Sequence, residues 1–142
     1  MERLFVASAG WYTLPNRNRI YPHGLKGREG YPGVFDLDRF LSIPICVAVG
    51  DRDGRRDVAF NCSPRIDDAQ GDNRIQRARS WVRALRHQAK RRGIRAHIEF
   101  RLLPGATHTF TQNARKAGLD DEVSHFFFPR MLRHVPARGN LR

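Results

Sequence analysis

Two segments of this chain carry side chains that could do acid–base chemistry together. Gly50-Asp51-Arg52-Asp53-Gly54 follows an apolar run, and Pro104-Gly105-Ala106-Thr107-His108-Thr109 follows an alternating one. In open parallel sheets, ligand and catalytic groups collect at the carboxyl ends of strands. Neighbouring strands lie ~4.8 Å apart, so an acid and an imidazole at two such ends share one rim. A carboxylate that accepts from one ring nitrogen of a histidine fixes its tautomer and steadies the imidazolium when the other nitrogen acts as base. His108 is the candidate imidazole, and Asp53, Asp51 and Asp57 are the candidate acids.

The elements that must position this pair are legible from periodicity. Leu4 to Ala9 is a short apolar run ending at Gly10, read as a strand covered on both faces. Residues 11–39 are rich in Pro, Gly, Asn and Tyr and read as an irregular excursion, with one short helix around Asp38 to Leu41 capped by Asp38. Ile45 to Val49, fenced by Pro44 and Gly50, has the unbroken apolar character of a central parallel strand.

Asn73 to Arg92 is the clearest helix. Ile75, Ala78, Val82, Leu85 and Ala89 form its stripe with Trp81 at the margin, Asp72 or Asn73 caps the start, and Gly93 follows the end. From His97 to Leu103, Ile98, Phe100 and Leu102 alternate with Glu99 and Arg101, as in an edge strand with one wet face. A final helix is expected from Asp120 to Arg133, with acids in its first turn and arginines in its last. Residues 134–142 read as a frayed tail. This order describes one α/β domain over residues 1–142: about three parallel strands with crossover and C-terminal helices.

In this setting the chain resembles the carboxyl-terminal part of an α/β-hydrolase, closest to esterase and polyester-depolymerase-like members. The shared pattern is a Pro-started apolar strand, Gly-x-x-Asp, a long helix and a strand ending in Pro-Gly-x-x-His. Here these are Pro44 to Val49, Gly50 to Asp53, the helix from Asn73, and Pro104 to His108. Ala7-Ser8-Ala9-Gly10-Trp11-Tyr12 is similar to the family's sixth strand and its exit. The resemblance implies Asp53 as triad acid, His108 as triad base, a small ester-type substrate and no cofactor.

The departure concerns the nucleophile. The family places it in Gly-x-Ser-x-Gly on a strained strand-to-helix turn. None of Ser8, Ser42, Ser63, Ser80 and Ser124 has that frame, and Ser8, the nearest, has Val6 in the first glycine's place. Cys62 in Asn61-Cys62-Ser63-Pro64 is a weaker candidate still. The expectation is a C-terminal piece of a serine hydrolase that carries acid and base, lacks the nucleophile half, and is inactive by itself. Its first strand would then be an open apolar edge prone to self-association.

Other chemistries fit less well. Asp51-x-Asp53-Gly54 also resembles the haloacid-dehalogenase phosphatases, but Gly50 separates strand from motif and no lysine partner is evident. A calcium loop would need a carboxylate where Cys62 stands, and no Cys/His spacing suggests zinc. His23, His87, His97, His125 and His134 have no comparable neighbourhood.

Composition bounds the rest. The 142 residues suit one globular domain, at 40% hydrophobic and 10% aromatic. Lys plus Arg number 26 against 14 Asp plus Glu, a formal charge of +12. Nine basic residues and no acid lie between Arg74 and Arg95, so an arginine helix tracking nucleic-acid phosphates is the alternative reading. Without a helix-turn-helix or zinc frame, a solvated helix face is preferred and nucleic acid is not expected as a partner. The two cysteines, Cys46 and Cys62, make no disulfide framework. With no signal-like or spanning segment, a cytoplasmic location off the membrane is expected.

Overall fold

The computed structural model describes residues 2–30, 34–58 and 60–129. In chain order the elements are β1 (Leu4–Ala7), α1 (Leu37–Ser42), β2 (Ile45–Gly50), α2 (Pro64–Gln70), α3 (Arg74–Arg91), β3 (Ile98–Leu103), α4 (Phe110–Lys116) and α5 (Leu119–Phe127). The strands form one parallel sheet in the order β1-β2-β3, with Val6 beside Val47 and Val47 beside Phe100. This is the expected α/β architecture.

β2 is central, and all six of its residues are buried. Ile45, Val47 and Val49 pack toward Ala78, Trp81, Val82, Leu85 and Ala89 of α3. On the opposite face, Ala48 packs with Leu103, Ala106 and Leu119. An unbroken apolar run is what two covered faces demand. Asn73 caps α3 by accepting from the Gln76 amide, and Gly93 follows with φ +66°, as expected for each.

Several expectations needed correction. β1 is only half-buried and Ala7 is exposed, because among the described residues its one strand neighbour is β2. The cap of α1 is Asp36, which accepts from the Arg39 amide; Asp38 lies within the helix and pairs with Arg92 at 2.5 Å. Trp81 is not marginal but buried, stacked on Tyr12 at 4.7 Å.

On β3, Leu102 is 39% exposed, and the Glu99–Arg101 face is only partly wet, each of those side chains being 31% exposed. Arg101 ion-pairs there with Glu99 and with Glu122 of α5, while His97 reaches Glu99 at 2.7 Å. α5 begins where expected, with Asp120, Asp121 and Glu122 in its first turn, but ends at Phe127. Phe128 precedes Pro129, and the proline ring disfavours helical backbone in the residue before it. The expected last-turn arginines and the tail over 134–142 lie outside the described residues. The short helices α2 and α4 were not foreseen, although Ser63-Pro64 has the form of a cap followed by an N1 proline.

The described part of the excursion, residues 11–30 and 34–36, is irregular and nonetheless firmly docked. Gln70 bonds both main-chain groups of Tyr12, at 2.9 and 2.8 Å, and the Trp81 indole donates to the Thr13 carbonyl. Among the described residues, no helix is long and apolar enough to cross a membrane.

Candidate active site

Asp53 and His108 meet at the carboxyl ends of β2 and β3. His108 Nδ1 lies 3.2 Å from Asp53 Oδ2, the Asp53 side chain being buried and that of His108 46% exposed. Exposure leaves the other ring nitrogen open to an incoming group, while burial holds the acid still.

Each partner is held by identifiable contacts. The Asp53 amide donates to the Gly50 carbonyl in a tight turn off β2. Gly50 itself abuts the Ala106 carbonyl so closely that a Cβ there would overlap it. Glycine is therefore what lets the histidine loop approach the acid loop. That loop turns at Gly105, φ +69°, and is clamped by Asn113 of α4. The buried Asn113 accepts from the Thr107 amide at 3.1 Å and donates to the Thr107 carbonyl at 2.6 Å, setting the residue before His108.

The second anchor of the acid is Arg74, the first residue of α3, itself buried. Its Nη1 donates to Asp53 Oδ1 at 3.3 Å, and its fork engages Asp57 at 3.0 and 3.2 Å. Asp57 thus reaches Asp53 through a shared guanidinium, and Asp51 is exposed on the preceding turn. One turn further along α3, buried Arg77 binds Asp67 and the carbonyls of Gly10, Asn61 and Gly71. The Phe60 ring lies between, 4.9 Å from the Arg74 guanidinium and 4.0 Å from that of Arg77. With Arg56 as its main hydrogen-bond partner, the Asp67 carboxyl is held below its ordinary value.

Arg74, Arg77 and Asn113 are the site-supporting residues that sequence reasoning missed. The two arginines left a usable trace, because their spacing from Ala78 and Trp81 puts them on the stripe that faces the sheet. Their burial also weakens the nucleic-acid reading of α3, as does Arg86, which donates to the Ile98 carbonyl. Among the described residues, no cluster of His, Cys, Asp and Glu could hold a metal ion.

The candidate nucleophiles are not in a comparable setting. Ser8 does occupy the left-handed region, at φ +46°, just past β1. No helix follows it directly, however, and the described residues 9–30 and 34–36 hold none. The strand-to-helix turn that supplies an oxyanion donor is therefore not formed there. Cys62 is exposed, with its thiol directed at the Phe60 carbonyl.

No protein-family model matches the chain, and no curated protein does. Solved structures do. The poly(3-hydroxybutyrate) depolymerase LpqC from Bordetella parapertussis matches over 75% of this chain, with a TM-score of 0.63 and 29% identity. Poly(aspartic acid) hydrolase-1 from Sphingomonas sp. KT-1 matches over 80%, with a TM-score of 0.69 and 25% identity. The chain spans 35% and 44% of the lengths of those two proteins. With its three parallel strands, crossover helix α3 and strand-end loops, the chain has a partial α/β-hydrolase fold of the polyester-depolymerase-like kind.

Proposed function

We propose that this chain supplies the acid and the base of a serine-hydrolase triad for ester or related acyl hydrolysis. Asp53 accepts from Nδ1–H of His108, which leaves Nε2 unprotonated to take the proton of a nucleophile and later return it to the leaving group. The carrying observation is the 3.2 Å contact between a buried carboxylate and a half-exposed imidazole at adjacent strand ends. The two similar structures, named for a polyester and a poly(amino acid), agree with an acyl linkage as the scissile group. No cofactor takes part in this chemistry.

The nucleophile comes from outside the described residues, so the isolated chain is inactive. Losing a triad member removes many powers of ten in rate. Nitrogen-15 NMR of the His108 ring tests the pairing: the Nδ1–H tautomer is expected, and Asp53→Asn should redistribute it toward Nε2–H. An Nε2–H ring in the unsubstituted chain would overturn the assignment. A fluorophosphonate probe should label no serine. Stoichiometric labelling lost in His108→Ala would reveal a nucleophile within the chain.

A further inference from the structure

The dyad opens into a cavity of about 610 Å³ whose lining includes Arg52, Arg55, Thr107 and Thr109 beside Asp53, Asp57 and His108. Charge in this cavity is unevenly settled. Both carboxylates are already engaged, Asp57 by the Arg74 fork and Asp53 by Arg74 and His108. Arg52 and Arg55 are exposed, and among the described residues their side chains make no hydrogen bond or ion pair. That sets them apart from Arg39, Arg56, Arg74, Arg77, Arg92 and Arg101, each of which holds a carboxylate.

Their backbones, in contrast, are pinned. The Arg52 amide donates to the Ala106 carbonyl at 3.0 Å, and the Arg55 carbonyl accepts from Arg74 at 3.4 Å. Two arginines on a pinned backbone thus line the same cavity as the imidazole. A guanidinium binds carboxylate through a planar fork, and a concave wall concentrates its field.

We infer that Arg52 and Arg55 form a carboxylate-binding subsite, so that the acyl substrate of this site is anionic, carrying a carboxylate a few bonds from the ester or amide. The inference rests on the acid–base reading above and adds the substrate class. It ties selectivity to two residues outside the acid–base pair.

Binding to the intact chain tests it without turnover. Monomethyl glutarate, which carries one ester and one carboxylate, is titrated against neutral dimethyl glutarate at low salt. Shifts are followed at the His108 ring and at the Arg52, Thr107 and Thr109 amides. The anionic ester should bind at least about tenfold more tightly, a difference of about 1.4 kcal/mol. Added salt should erode that preference.

Arg52→Gln/Arg55→Gln should abolish the preference. Arg91→Gln/Arg95→Gln, which removes equal charge at the other end of α3, should preserve it. Equal binding of the two esters, or equal losses in the two double variants, would overturn the subsite. The ring tautomer, read in the same samples before ligand is added, keeps the two proposals apart. An Nδ1–H ring with no anion preference defeats the subsite alone, and a ring without that tautomer defeats the dyad.

Discussion

Arg74 and His108 occupy opposite oxygens of one buried carboxylate, with Arg74 Nη1 3.3 Å from Asp53 Oδ1 and His108 Nδ1 3.2 Å from Oδ2. The acid is therefore held in the plane that presents Oδ2 to the imidazole. Arg74→Met would leave that carboxylate buried with half its support. A loss of about 3–5 kcal/mol is expected, as for breaking a buried pair from one side. Urea titration measures it. Arg74→Met combined with Asp53→Asn should cost clearly less than the two single losses together.

Asn113 should act on the histidine more than on the fold. Asn113→Ala removes both clamps on Thr107, and the loss of two part-buried hydrogen bonds costs about 1–3 kcal/mol. At a temperature where the variant is still folded, the His108 tautomer should become mixed. Asn113→Asp keeps an acceptor for the Thr107 amide but no donor for its carbonyl, so an intermediate tautomer distribution is expected.

The two thiols should differ sharply in reactivity. Burial is the main cause that pushes Cys46 up to about 11, with the Arg101 charge opposing only in part. A thiol that stays protonated in a closed core does not attack. Ellman's reagent should titrate one cysteine, Cys62, in the native chain and both after denaturation. Rapid native reaction of Cys46→Ser at one site would confirm which thiol is the accessible one.

Acid should loosen the seam between β3 and α5. Burial alone would raise Glu99, but hydrogen bonds from Arg101 and His97 outweigh it and hold the carboxyl below its ordinary 4.5. A group depressed in the folded state contributes stability above its unfolded value, and that contribution is lost as pH falls through the folded value. Urea midpoints should therefore drop below about pH 4.5, and Glu99→Gln should make that part of the profile shallower.

β1 should drive self-association. The Leu4 amide donates to the Pro44 carbonyl just before β2 and the Ser8 amide to Ala48 within it, so by strand alternation those of Phe5 and Ala7 point away from β2. An open edge is a template for another chain, and Leu4 and Val6 also border an apolar cavity of about 390 Å³. Light scattering coupled to gel filtration should detect dimers or larger species despite the charge of +12. Ala7→Pro, which removes an outward N–H, should shift them toward monomer. A monodisperse monomer before substitution would exclude this edge as an association site.

The sequence by itself determined the elements whose signals are local. β2 is an unbroken apolar run between Pro44 and Gly50, and α3 is a stripe with a cap at Asp72 or Asn73, of which the structure uses Asn73, and a glycine at position 93. Asp53 and His108 could be paired because both follow strands, and parallel strands end on one side. What only the tertiary structure decided was which charges are buried and what they hold. Stripe spacing sets Arg74 and Arg77 apart from Arg79 and Arg83 but does not say what they hold, since an arginine leaves water only where distant carboxylates and carbonyls converge to repay its desolvation. For the same reason the Glu99–Arg101 face read as wet until α5 brought Glu122 onto it, and β1 read as enclosed although strand neighbours are contributed from far along the chain.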